Sequence, residues 1–147
     1  MGRGIYLIES LAEVPIDEEC VISQYVDNPM LIDGYKFDLR IYVLITSFEP
    51  LRIYIYDEGL ARFASEPYTT SFRDNRYMHL TNYSVNKKNS KFIKNDDYKN
   101  DKVGHKWSLS AMMKHMEECG VETELLWSRI YDLIIKTILS CENDVVS

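Results

Sequence analysis

Cysteine is scarce: three in 147 residues, Cys20, Cys119 and Cys141, far apart and without a CxxC pair. An odd number at such spacing indicates neither a disulfide framework nor a zinc site, and a reducing compartment is the natural reading. Long apolar runs are also missing. None approaches the roughly 18 residues that a spanning helix requires. The opening MGRGIYLIES lacks the cationic and apolar layout of a secretory signal, and Tyr6 stands where a myristoylation pattern needs Ser or Thr. The chain is therefore expected to be cytosolic, without membrane insertion. Positive charge is in deficit too, with a net −6 and a pI near 5.1. Bulk nucleic-acid binding needs a basic surface and is excluded on that ground.

What the sequence does contain is the composition of an ordinary globular protein with one core, 46% hydrophobic and 27% charged. Five runs with period-2 or β-branched character fill the first half: Ile5 to Ile8, Cys20 to Val26, Tyr35 to Ser47, Leu51 to Tyr56 and Ala61 to Ala64. The separators DNP at 27–29, DG at 33–34, EP at 49–50 and DEG at 57–59 are turn-like, so an antiparallel meander is expected. Tyr35–Ser47 and Leu51–Tyr56, joined through Phe48, Glu49 and Pro50, form its clearest hairpin. From Val85 to His105 no apolar periodicity remains, which predicts a loop that is mobile without ligand. Ser108 then caps a helix through Leu109, Met112, Met113 and Met116 that stops at Gly120. A second helix follows from about Glu122, with Leu125, Leu126, Arg129, Ile130, Leu133, Ile134 and Ile138 at helical spacing. Strands followed by helices make the fold class α+β.

Tyr35 to Ile45, YKFDLRIYVLI, is the densest source of chemistry. A strand turns alternate side chains to opposite faces, which puts Lys36, Asp38 and Arg40 on one and Phe37, Leu39 and Ile41 on the other, in the core. Cation, anion and cation in a row suit a polyphosphate site, although charge pairing on a solvated sheet face gives the same alternation. GRGI at 2–5 is a glycine loop able to bring backbone N–H groups to a phosphate, or a plain turn. HLTNYSVNKK at 79–88 places His79, Thr81, Asn82, Tyr83, Ser84, Asn86 and Lys87 within nine positions, suited to a nucleotide or equally to a polar turn. Arg62, among apolar residues, awaits a ligand carboxylate or pairs with Asp57 or Glu58. The lysines at 87, 88, 91, 94, 99, 102 and 106 are diluted by Asp96, Asp97 and Asp101 and fit a solvated loop. His105 and His115 lack companions at metal-ligand spacing, and no nucleophilic triad can be assembled.

Taken together, GRGIYLI, SQYVDNPMLIDGYKFDLRIYVLITSFEPLRIYIYDEGLARFA, MHLTNYSVNKK, HKWSLSAM and DLIIKTI closely resemble the tubulin tyrosine ligase-like proteins, most of all their polyglutamylase branch. The resemblance implies an ATP-grasp fold, an antiparallel sheet followed by helices, of which residues 1–147 are the central, incomplete part. It implies a ligase that uses ATP and Mg2+ to join free glutamate to side chains of acidic tubulin tails, acting as a monomer on microtubules in the cytoplasm, cilium and basal body included. Residue by residue, it assigns Arg3 and Gly4 to a phosphate loop, Ser23, Gln24, Tyr25 and Val26 to a hinge facing adenine, and Lys36, Phe37, Asp38, Thr81 and Asn82 to ATP. Arg40 is assigned to catalysis, reaching the phosphates or an acyl-phosphate, and Arg62, Tyr83, Ser84 and Lys106 to the incoming glutamate. The family's metal-binding carboxylates and asparagine are expected beyond the helix containing DLIIKTI, and its upstream nucleotide lysine before GRGI, so no metal ligand is assigned here. The fragment alone is expected to be inactive. A glycine ligase of the same family and a non-catalytic microtubule-binding remnant are the alternatives.

Overall fold

The computed structural model describes residues 4–71, 75–95 and 103–146. They form a mixed α+β structure of six strands, β1 (Leu31–Ile32), β2 (Tyr35–Arg40), β3 (Val43–Phe48), β4 (Leu51–Ile55), β5 (Leu60–Phe63) and β6 (Lys106–Ser108), and four helices, α1 (Arg76–His79), α2 (Tyr83–Asn86), α3 (Leu109–Glu118) and α4 (Thr123–Val146). Strands β1, β2, β5 and β6 are hydrogen-bonded neighbours in that order, and β3 and β4 pair separately. The chain divides into two compact units. One comprises residues 1–38, 62–96 and 103–106, and the other 39–61, 97–102 and 107–147.

In the first unit, β1 and β2 are antiparallel and joined by Asp33 and Gly34, with Ile32 opposite Tyr35. Both turn residues have positive φ, 51° and 81°. A two-residue hairpin loop of this hand matches the twist of its strands, and Asp-Gly supplies it at least steric cost. Ile32, Phe63, Ala64, Met78 and Leu80 are buried here, and Phe37 packs against Phe63 with ring centroids 5.8 Å apart.

The second unit holds the β3–β4 hairpin, antiparallel with a register shift between Ile45 and Ser47. Leu51, Ile53 and Ile55 alternate inward along β4 and face Tyr131, Ile134 and Ile135 of α4. Helix α3 starts where Ser108 accepts a hydrogen bond from the Ala111 N–H at 3.1 Å and buries Leu109, Ala111, Met112, Met113 and Met116. It stops at Gly120, whose φ of 80° lets the following N–H of Val121 return to the Met116 carbonyl at 2.9 Å. Gly59 is buried, and a Cβ there would run into the Arg40 carbonyl.

Several expectations need correction. Ile5–Ile8 and Cys20–Val26 carry no strand, and a short 3-10 turn at Leu11–Glu13 follows the former. Tyr35–Ser47 is two strands, broken at Ile41 and Tyr42, so the hairpin is β3 with β4 and β2 pairs elsewhere. Phe37, Leu39 and Ile41 are half-buried and do not lie in a closed core. The segment expected to be a loop begins as α2. Its Asn86 is wholly buried and Phe92 stacks on His105 at 5.4 Å, while residues 96–102 of that expectation lie outside the described residues. Past α2, residues 87–95 and 103–105 carry neither helix nor strand, as a loop should, and only the burial within it went unread, for one cause. A burial pattern made of polar side chains has no apolar period for sequence reading to detect.

Candidate functional site

Alternation along β2 does place Lys36 and Asp38 on a common side, because both meet the segment that leads out of α1. The Lys36 ammonium donates to the His79 carbonyl at 2.9 Å, and two residues further on each chain the Thr81 hydroxyl donates to Asp38 Oδ2. Asp38 also takes a two-pronged ion pair from Arg62, Nε to Oδ1 and Nη2 to Oδ2, each at 2.8 Å. Asp57 and Glu58, the partners weighed for Arg62 from sequence, are not the ones used. Glu58 instead accepts from the Gly59 N–H at 2.9 Å and from the Ser110 hydroxyl at 2.7 Å. Burial disfavours its charge, but these donors with the backbone N–H groups of Ser110 and Leu109 outweigh that and hold its carboxyl below the usual range.

An arginine offers five N–H groups in a rigid fork. Asp38 occupies one edge and leaves Nη1 uncommitted among the described residues, so the pair orients the guanidinium without exhausting it. A lysine offers three donors. Lys36 spends one on His79 and one on the Tyr25 hydroxyl at 3.1 Å, and its Nζ sits 4.4 Å from the Tyr25 ring centroid. One donor remains for an anion or a base nitrogen. Burial lowers the Lys36 pKa, against which Asp38 raises it. Tyr25 in turn is pushed well above its ordinary value by burial, then by its hydrogen bond and proximity to Tyr68, then by Asp27. Its hydroxyl also lies 2.8 Å from His79 Nδ1. Beside this cluster is a cavity of about 270 Å³ lined by Leu7, Ile8, Glu9, Glu13, Tyr25, Asp27, Tyr68, Thr70 and His79.

Apart from Tyr25, the other candidates fall outside this network. Arg3 lies outside the described residues, and Gly4 is exposed with φ of 72°. Ser23, Gln24 and Val26 are exposed, whereas Tyr25 is half-buried. Arg40, at the end of β2 in the second unit, is exposed, and its guanidinium has no hydrogen bond or ion pair among the described residues. Tyr83 is half exposed with its ring 5.8 Å from Phe92, Ser84 is half-buried, and Lys106 is exposed at the start of β6. Asn82 precedes α2, yet its side chain makes no cap hydrogen bond. Among the described residues no group of three or more His, Cys, Asp and Glu side chains could hold a metal ion, and no helix is long and apolar enough to cross a membrane.

Sequence reading missed His79 as a structural hub and Tyr25 as a side-chain partner of Lys36. The only signal for His79 was its place at the head of HLTNYS. A histidine 97% buried, edge-on to both Tyr25 and Tyr68, is set by tertiary packing that no local pattern encodes.

Comparison with known proteins adds an independent line. Tubulin polyglutamylase TTLL5 of Mus musculus is 48% identical over 143 residues, covering 96% of this chain and 11% of that protein. Tubulin polyglutamylase ttll-5 of Caenorhabditis elegans is 46% identical over 149 residues, covering 99% and 20%. Tubulin monoglutamylase TTLL4 of Homo sapiens is 45% identical over 148 residues, covering 99% and 12%. The chain thus spans between about a tenth and a fifth of the length of these relatives. The sequence model described as the Tubulin-tyrosine ligase family matches residues 1–147, from end to end, and the chain belongs to that family.

Proposed function

We propose that this chain is the central part of an ATP-grasp ligase that adds glutamate to side chains of tubulin C-terminal tails. The observation that carries the reading is the Lys36–Asp38–Arg62–Thr81 cluster, in which two cations are held by fixed partners and each keeps at least one donor to spare. Relatives at 45–48% identity that are named tubulin polyglutamylases and monoglutamylases support glutamate as the amino acid. An Arg62 able to grip a carboxylate supports it over glycine only weakly, since every amino acid carries an α-carboxylate.

In this reading a carboxylate oxygen of a tail glutamate attacks the γ-phosphorus of ATP, the bond to the bridging oxygen breaks, and ADP leaves. The amine of free glutamate then attacks the acyl-phosphate carbonyl, loses a proton, and expels phosphate as the isopeptide forms. Lys36 donates to the nucleotide, with Phe37 behind it on the opposite face of β2. Thr81 and Asn82 contact ATP along the edge that Lys36 and Asp38 already hold, while Arg3, Gly4 and the hinge at Ser23, Gln24, Tyr25 and Val26 enclose the phosphates and adenine. Arg62 with Tyr83, Ser84 and Lys106 binds the incoming glutamate. Arg40 supplies the cation for charge that develops on the transferred phosphoryl group, which a fixed positive charge stabilises. Magnesium, when bound, would screen the phosphate oxygens. No group of three or more His, Cys, Asp and Glu side chains among the described residues fits it. Microtubules of the cytoskeleton are the proposed location and partner.

The experiment is isotope transfer. Full-length protein is given ATP, Mg2+, glutamate and a tubulin-tail peptide whose side-chain carboxylates carry oxygen-18. Activation through an acyl-phosphate moves one labelled oxygen into the released phosphate. Unlabelled phosphate accompanying ligation would refute the route, and release of AMP in place of ADP would refute the class.

A further inference from the structure

Asn86 belongs to none of the binding groups above, yet its side chain is wholly buried and fully engaged. Its Oδ1 accepts from the Ser65 N–H at 2.9 Å and from the Ser65 hydroxyl at 2.6 Å. Its Nδ2 donates to the Leu80 carbonyl at 2.6 Å and to the Asn82 carbonyl at 3.1 Å. One amide therefore pins both ends of the Leu80–Thr81–Asn82 segment to Ser65, three residues past Arg62 and just beyond the end of β5.

The bond to the Asn82 carbonyl matters because of what Asn82 does not do. An asparagine before a helix ordinarily spends its side-chain oxygen on the N–H groups of the first turn. Here the Asn82 carbonyl takes the N–H groups of Val85 and Asn86, each at 3.0 Å, as well as the Asn86 amide, and the side chain is left out of the cap. Backbone carbonyls in a buried turn are costly to leave unpaired. By satisfying the Leu80 carbonyl and adding a third donor to that of Asn82, Asn86 fixes the segment from inside, while the buried Thr81 turns its hydroxyl to Asp38 and the Asn82 side chain is left out of the cap.

We propose that Asn86 is a positioning residue for nucleotide binding: it holds Thr81 and Asn82 in register with Lys36 and Asp38. The inference rests on the assignment of Thr81 and Asn82 to ATP made above. Asn86→Asp is the sharpest variant, since it keeps both bonds accepted from Ser65 but turns an oxygen toward the Leu80 and Asn82 carbonyls. Ser65→Ala is the matched control, equally buried and in the same network, but with no bond to the Leu80–Asn82 segment removed.

The test is an ATP titration of full-length protein, together with KM values for ATP and glutamate and a thermal melt for each variant. Two lost hydrogen bonds at the segment should raise the ATP Kd and KM of Asn86→Asp about tenfold or more. The glutamate KM should move less, and Ser65→Ala at a comparable melting loss should bind ATP nearly as the unmodified protein does. If Asn86→Asp does not fold, Asn86→Ser, which adds no buried charge, is read against the same limits. ATP binding that is unchanged in the folded variant, or equally weakened in Ser65→Ala, would overturn the positioning role. So would failure of both Asn86 variants to fold while Ser65→Ala does. An unmodified protein that binds no ATP would mark failure of the underlying assignment, which the unmodified arm alone reveals.

Discussion

Replacing Arg62 with alanine separates a substrate role from a structural one, because the two leave different signatures. The Arg62 and Asp38 side chains are 22% and 34% exposed and joined by two charge-assisted bonds at 2.8 Å. Exposed ion pairs are worth about 0–1 kcal/mol, whereas deleting one partner of a fully buried pair costs about 3–5 kcal/mol. Intermediate exposure places Arg62→Ala at roughly 1.5–3 kcal/mol of lost stability, the result of an Asp38 carboxylate left with only the Thr81 hydroxyl. Adding Asp38→Asn removes the stranded charge, so the double variant should melt above Arg62→Ala alone. If Arg62 also grips the incoming glutamate, the glutamate KM of the full-length protein should rise by about one to two decades, the equivalent of one lost bidentate contact. The ATP KM should change only a few-fold. Arg62→Lys keeps the charge but not the fork and should recover a minor part of both effects. Steady-state kinetics beside a thermal melt decides. A clear melting loss with unchanged glutamate dependence would refute the substrate role, and an unaltered melt would refute the ion pair as a stabilising element.

Lys36→Ala should show the converse pattern, raising the ATP KM by about a decade or more while the glutamate KM holds, since one ammonium donor is left for nucleotide; equal effects on both substrates would contradict it. His105 is held below its ordinary value of 6.5 by burial, partly offset by its hydrogen bond to Ile93. Its contribution to stability is thus present above pH 6.5 and lost as pH falls through the lower folded value. Melting temperature should decline on acidification through that window, and a decline equally steep in His105→Gln would assign it to other groups. Ser108→Ala removes the oxygen that accepts the Ala111 N–H and should cost about 1 kcal/mol in denaturant unfolding, as caps of this type do; no loss would show that α3 is started by packing alone.

The elements read well from sequence are those in which an apolar period or a cap reports the structure directly. The Ser108 cap, the Gly120 stop and the repeating Leu and Ile positions of α4 are local signals, and α3 and α4 occur where they predict. Lys36 and Asp38 share a side because alternation is a property of any strand. What sequence concealed is pairing between distant segments. Nothing near Arg62 marks Asp38 as its partner in place of Asp57 or Glu58, and nothing around Asn86 announces a buried amide, because polar burial is bought by tertiary hydrogen bonds and leaves no period. The break of β2 at Ile41 and Tyr42 was hidden for the opposite reason, since the apolar run continues across it unmarked.

The proposed ligation of glutamate to tubulin side chains leaves a covalent product that can be read directly. Its most direct test is mass spectrometry of tubulin tails after incubation with full-length protein, ATP, Mg2+ and equal amounts of isotopically distinct glutamate, glycine and tyrosine. Glutamyl residues joined to side-chain carboxylates of tail glutamates are expected, with one ADP released for each residue added. Glycyl or tyrosyl addition, or tails left unmodified by a protein that binds both ATP and tubulin, would contradict it.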